Sequence, residues 1–156
     1  MSVRKIPEGY TSVTPYLIVS GAARALDYYK MAFDAEELMR MDGPNGTIAH
    51  AEIQIGNARV MLADEAPQMG HKSPQTLGGS GTGLMLYVDD VDGTFQRAVS
   101  AGGTVAQQVK NQFYGDRSGT VVDPFGHKWT IATHVEDVSM EEIERRMQAM
   151  ASTPAS

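Results

Sequence analysis

Apolar residues alternate with others along positions 13–19, and Val, Tyr, Leu and Ile dominate them. A period of two in β-branched and aromatic residues predicts a strand. From Ala22 the period lengthens. Ala22, Ala25, Leu26, Tyr29 and Phe33 fall on one stripe of a helix spanning 22–33, with Ser20 placed to cap its start. A strand near 36–41 and the turn Asp42-Gly43-Pro44-Asn45-Gly46 come next, then a hairpin with arms 50–55 and 58–63. Its two-residue turn, Gly56-Asn57, sets Ile55 opposite Ala58, Ile53 opposite Val60 and Ala51 opposite Leu62. Directly opposed residues share a face. One face is therefore wholly apolar and predicts contact with the helix. The other carries His50, Glu52, Gln54, Arg59, Met61 and Ala63, and predicts a face turned to water or to a wet cavity.

The same plan then recurs. Residues 83–88 read as a strand, Asp90 as an N-cap, 91–101 as a helix and Gly102-Gly103 as its stop. Strands follow near 104–110, 114–123 and 127–134, with Asp123-Pro124-Phe125-Gly126 turning between the last two. The matching strand-end valines, Val19 and Val88, lie 69 residues apart. That interval is too long for a solenoid and points to a duplicated half-domain. The expected organisation is one domain over 1–150. Its modules are 12–65 and 83–134, joined by a linker at 66–82, and 151–156 form a flexible tail. The glycine run at 78–83 reads as a flexible connector. A phosphate loop would need a following Gly-Lys-Ser/Thr and a helix, and neither is there. Ser139 with Glu142 predicts a capping box for a last helix near 140–150.

Composition narrows the function classes. The formal charge of −6 leaves no basic excess for phosphate neutralisation, so nucleic acid is not expected as a partner. The chain has no cysteine, which removes disulfides, thiolate metal sites and a thiol nucleophile. No run has signal-peptide or membrane-span character, so a cytoplasmic protein without membrane contact is expected.

Two successive βαβββ modules closed by Val121-Val122-Asp123-Pro124-Phe125-Gly126-His127-Lys128-Trp129-Thr130 resemble the vicinal oxygen chelate superfamily, the group of glyoxalases, dioxygenases and bleomycin-resistance proteins. Thr14-Pro15-Tyr16-Leu17-Ile18-Val19, the stretch Ile48–Gly56 and Met61-Leu62-Ala63-Asp64-Glu65 resemble its PhnB-like branch. The resemblance implies an α+β fold in which two βαβββ modules form a cup-shaped mixed sheet, and a homodimer, often with modules exchanged between subunits. In metal-dependent members four strands each supply one ligand, usually His or Glu. The matching positions here hold Thr14, Met61, Gly83 and Thr130, so neither the family's metal nor another cofactor is expected.

The remaining candidates are polar groups of the implied cup. His50 and Glu52, two apart on one strand face, are a possible general-base pair. Tyr16, Gln54, Arg59, Met61 and Tyr87 share cup-facing parity, and Tyr114 and Asp116 enter the seventh strand at the implied cup mouth. Trp129 and His127 read as structural, and His134 as a residue at the end of the last strand. Two functions stay open. One is a cup that binds a small, partly apolar metabolite or antibiotic without the usual metal. The other is a lyase- or isomerase-type enzyme acting on a small carbonyl compound, with Glu52 or His50 as base.

Overall fold

The computed structural model describes residues 2–153. The first module consists of β1 (Tyr16–Val19), α1 (Ala22–Phe33), β2 (Glu36–Asp42), β3 (Ile48–Ile55) and β4 (Ala58–Asp64). A short helix, α2 (Pro74–Leu77), lies in the connection. The second module consists of β5 (Gly83–Tyr87), α3 (Val91–Ser100), β6 (Thr104–Asn111), β7 (Asp116–Val122) and β8 (Lys128–His134), and α4 (Met140–Ala151) follows it. Each module forms a four-stranded mixed sheet, ordered β1-β4-β3-β2 and β5-β8-β7-β6. No helix among the described residues is long and apolar enough to cross a membrane. The tail expected to be flexible falls partly on 154–156, outside the described residues.

The duplication is visible in register. Tyr16 lies opposite Met61 in the parallel β1–β4 pair, and Met85 lies opposite Thr130 in β5–β8. Both partners are displaced by the same 69 residues as the two valines. The hairpin pairs also match the expected ones: Ile55 with Ala58, Ile53 with Val60, Ala51 with Leu62.

Several expected boundaries shift for identifiable reasons. Strand β1 begins at Tyr16 rather than residue 13, just after Pro15, which lacks the N–H a ladder needs. Strand β7 begins at Asp116, so Tyr114 lies in the preceding turn. Ser20 does not cap α1. The Asp64 carboxylate does so from β4, accepting from Gly21 N (2.7 Å) and Ala22 N (2.9 Å) with Oδ1 and from Ile48 N (2.8 Å) with Oδ2. Thr133, 69 residues on, serves α3 alike: its hydroxyl accepts from Val91 N (3.0 Å) and donates to Val88 O (2.7 Å). Asp90 caps α3 through Gly93 N, and Ser139 caps α4 through Glu142 N. Glu142 itself turns to Arg145 and Arg146, so the reciprocal half of that capping box is not made. Upstream of the glycine run the connection is pinned: Ser73 is fully buried, its N–H donates to Glu65 (2.6 Å), and Gln75 Nε2 donates to Pro124 O (3.0 Å).

The core lies between the sheets. Leu17, Val19, Ile53 and Leu62 of the first sheet and Val121, Trp129 and Ile131 of the second belong to one buried cluster with Leu26 and Tyr29 of α1 and Phe95 of α3. Helix α1 packs on α3 and reaches the opposite sheet, where the Tyr29 and Phe33 rings lie 5.4 Å and 4.7 Å from Trp129. Burying this apolar surface is the main stabilising term. Asp123 fixes how it is assembled. Its Oδ1 accepts from Phe125 N and His127 N, both at 2.9 Å, and its Oδ2 from Tyr29 Oη (2.6 Å) and Trp129 Nε1 (2.9 Å). Tyr28 Oη donates to Ala98 O (2.8 Å), and His127 Nε2 donates to Ile18 O (2.9 Å), further polar ties across the modules. Burial, with the Asp123 charge beside it, pushes the Tyr29 hydroxyl well above its ordinary pKa, so it remains a donor.

Asp123→Ala leaves four donors without their acceptor and is expected to cost roughly 3–5 kcal/mol. Asp64→Ala is expected to cost about 1–2 kcal/mol, as loss of a helix cap does, and Tyr29→Phe about 1–1.5 kcal/mol. Urea unfolding of the three variants measures this ranking. Equal losses would refute the central place given to Asp123.

Candidate functional site

The helices occupy the layer between the sheets, so each sheet has an outer face free of helix. On the first sheet that face is a lattice set by register. Met39 pairs with Glu52, Glu52 with Met61, and Met61 with Tyr16; Met41 pairs with His50; Gln54 pairs with Arg59. Tyr16 Oη lies 2.8 Å from His50 Nδ1, and His50 Nε2 lies 3.1 Å from Glu52 Oε1. The Tyr10 hydroxyl and the His50 ring beside Glu52 hold its carboxyl below the usual carboxylate range. An ionised carboxylate has no proton to give, so His50 donates through Nε2. With a neutral imidazole, Nδ1 then accepts from Tyr16. Burial first, and the Glu52 charge second, raise the Tyr16 pKa and keep its hydroxyl protonated. Every ring nitrogen in this chain of three residues is occupied. Arg59 donates through Nε to Gln54 Oε1 (3.1 Å), and its guanidinium lies 4.9 Å over the Tyr10 ring.

The second sheet's outer face carries a different cluster. Asp116, 4% exposed, accepts from Tyr87 Oη with Oδ2 (2.8 Å) and from His134 Nδ1 with Oδ1 (2.8 Å). His134 Nε2 reaches Asp137 Oδ1 (2.8 Å). Two carboxylates at its ring nitrogens favour the protonated form of His134. Asp116 first, then Asp137, raise the His134 pKa from its ordinary value. The bond to Asp116 and the burial of Tyr87's polar end likewise raise the Tyr87 pKa. Tyr87 and Met85 stand exposed on this face, at 59% and 47%.

The expected residues thus fall into two groups. Tyr16, His50, Glu52, Gln54, Arg59 and Met61 share the first outer face, and Tyr87 and Asp116 share the second. The two faces point away from one another across the helix layer. Tyr114 sits in the turn before β7, half-exposed, with its ring edge-on to Phe113 at 5.2 Å. The sequence reading missed Met39, Met41, Tyr10 and the role of His134. Parity could not place the two methionines because β2 pairs with register shifts at 37/39 and 41/42. Tyr10 precedes the first strand, where no period operates.

The positions to which the resemblance assigns metal ligands carry neither imidazole nor carboxylate here. Gly83 has no side chain, Met61 offers a soft thioether, and the Thr130 hydroxyl shares a hydrogen bond with Thr120 (2.9 Å). Among the described residues no group of three or more His, Asp or Glu is arranged to hold a metal.

Comparison with known proteins agrees with this architecture. The sequence profile of the Glyoxalase/Bleomycin resistance protein/Dioxygenase superfamily matches residues 10–131. An uncharacterized protein of Mycobacterium tuberculosis, Rv0887c, is 47% identical over 141 residues, covering 88% of this chain and 83% of its own. Among solved structures, TioX from Micromonospora sp. ML1 superposes with a TM-score of 0.62 at 28% identity, over 80% of this chain and 99% of that one. The Listeria monocytogenes fosfomycin resistance protein FosX, solved with Mn(II), gives 0.61 at 16% identity over 88% of this chain and 98% of its own, a likeness of fold alone.

The raised His134 pKa has a defined sign. Its folded value exceeds its unfolded one, so its paired state stabilises the fold fully below the unfolded value, near 6.5, and that contribution is lost as pH rises through the folded value. NMR titration is expected to find His134 titrating above an ordinary histidine, and Asp116→Asn is expected to bring it down. An unshifted His134 would contradict the double-carboxylate bridge.

Proposed function

We propose that this chain, which belongs to the Glyoxalase/Bleomycin resistance protein/Dioxygenase superfamily, binds a small, partly apolar metabolite or antibiotic in a cup closed between two copies of itself. The observation that carries binding over catalysis is the saturation of the first face. Both ring nitrogens of His50 are engaged, and Glu52 is held ionised with a depressed pKa. A lowered pKa makes a carboxylate a weaker base, and an occupied imidazole has no lone pair for a substrate proton. Such a face recognises hydrogen-bonding groups without exchanging protons with them.

Around that polar core lie Met39, Met41, Met61 and Tyr16, and the second face adds Met85 and Tyr87. Methionine side chains adapt to irregular apolar shapes. Exposed aromatic and methionine side chains around a few fixed polar groups suit a small ligand with an apolar body. The orientation of the two faces supports a homodimer. One protomer turns its two faces in opposite directions, and β1 and β5 are edge strands of their sheets. In a symmetric dimer a second copy would bring a Tyr87–Asp116 face against a Tyr16–His50–Glu52 face and complete the cup. We place this protein in the cytoplasm.

A second reading, a lyase or isomerase acting on a small carbonyl compound, draws on the Tyr16–His50–Glu52 chain itself. If a substrate displaced Tyr16, His50 Nδ1 would become free as a base, with Glu52 holding its tautomer. This reading needs turnover that vanishes with His50→Ala.

Complementation tests the shared cup. Variants Glu52→Gln/Tyr16→Phe and Tyr87→Phe/Asp116→Asn should each lose ligand-induced thermal stabilisation. Mixed through reversible unfolding, they should regain about a quarter of the sites, because half the dimers then pair one intact face of each kind. No recovery, or a monomer in sedimentation, would sink the two-copy cup.

A further inference from the structure

We propose that the cleft between the β3–β4 turn and α3 binds a small aromatic amine, its ring taking the place that Phe125 fills in the other half of the molecule. This site is separate from the first outer face and meets the second only at Tyr87. It goes beyond the cup reading and does not depend on it.

The duplication explains the cleft. Two seams form where the turn of one module approaches the helix of the other. At one, the β7–β8 turn runs from Asp123 to His127 and carries Phe125, 3% exposed, against α1. The Phe125 ring lies 6.4 Å from that of Tyr28 and 6.5 Å from that of Tyr29, with the Arg24 guanidinium 5.8 Å over it. Three rings fill this seam. At the other, the counterpart turn from Ile55 to Ala58 is one residue shorter, and Gly56 and Asn57 bring no ring. At 69 residues on from Tyr28 and Tyr29, α3 holds Arg97 and Ala98. A Cβ on Gly56 would meet only open space. With that aromatic bulk missing, the second seam keeps a cleft of about 580 Å³, a size that suits a small molecule.

The floor of the cleft locates the site. Phe33 and Ile55 are buried there, and Leu86 and Val88 half-buried, so the floor accepts an apolar ring. The rim selects the charge. Asp34, Asp89 and Asp90 line it against a single cation, Arg97. Asp90 is committed to capping α3, and Asp34 meets Arg97 only at a long 3.4 Å. Asp89 stands exposed at the end of β5. Three carboxylates around one guanidinium attract an ammonium and repel a carboxylate. Arg97 can lie over the bound ring as Arg24 lies over Phe125.

Phenethylamine and phenylpropionate, alike in apolar body and opposite in charge, make the test on the full chain by NMR titration. Phenethylamine is expected to bind at least about fivefold more tightly and to shift the amide signals of Ile55, Leu86, Val88 and Thr94. Methylamine, which lacks the ring, should shift none of them. Arg97→Tyr returns to α3 the ring that α1 carries at this position. It should weaken phenethylamine at least about tenfold by filling the cleft, with the melting temperature held or raised. Asp34→Asn/Asp89→Asn should weaken phenethylamine about three- to fivefold and narrow its preference over phenylpropionate. Asparagine accepts the left-handed φ of 53° at Asp34, so this variant keeps the test open should Arg97→Tyr fail to fold. Equal or tighter phenylpropionate binding, or phenethylamine binding indifferent to both variants, would overturn the proposal. Binding lost with Glu52→Gln/Tyr16→Phe would place the amine on the first outer face and overturn it too. If phenethylamine does not bind at millimolar concentration, this site fails, and the complementation above decides the cup independently.

Discussion

Asp123 is the group on which the arrangement of this molecule depends. A buried carboxylate is tolerated only when its oxygens are fully engaged. Here the donors come from both halves: the backbone of its own turn, Trp129 of β8, and Tyr29 of α1. The carboxylate therefore shapes the β7–β8 turn and holds the first module's helix against the second module's sheet. Aromatic packing of Tyr29 and Phe33 on Trp129 adds area to the same joint. With α1 fixed there, the helices of both modules share one layer, and the two helix-free sheet faces are forced outward.

The two faces carry polar networks of opposite logic. On the first, Glu52, His50 and Tyr16 are joined in line, so polarity is closed on itself. On the second, the His134 ring is held between Asp116 and Asp137, with Tyr87 on the remaining Asp116 oxygen. Each network is held in place by its own hydrogen bonds, which would lower the entropy lost by such a face on binding a ligand. The duplication that gives both modules the same helix-capping position, Asp64 and Thr133, has not given them the same polar face.

Much of the fold was legible from the chain alone. The Val19 to Val88 interval, the apolar face of the 50–63 hairpin and the caps Asp90 and Ser139 are local patterns, and the structure reproduces them. The first polar face was legible for the same reason, since a two-residue turn fixes parity along both arms. What local pattern could not supply were contacts between distant elements. Ser20 looked like the cap of α1, yet the donors turn to Asp64, which lies beside them only once β4 pairs with β1. Met39 and Met41 join His50 and Glu52 through a bulged pairing that alternation conceals.

The sequence by itself determined the modules, their register and which residue types line each sheet, because these follow from short-range periodicity and turn chemistry. Tertiary structure alone decided that the two polar faces turn away from each other, that Tyr10 folds back onto Arg59 and Glu52, and that His134 bridges two carboxylates. Those outcomes depend on buried donors finding acceptors far away in the chain, such as Tyr29 on Asp123, and on a shared core that can be filled in one way. No window of neighbouring residues contains that information.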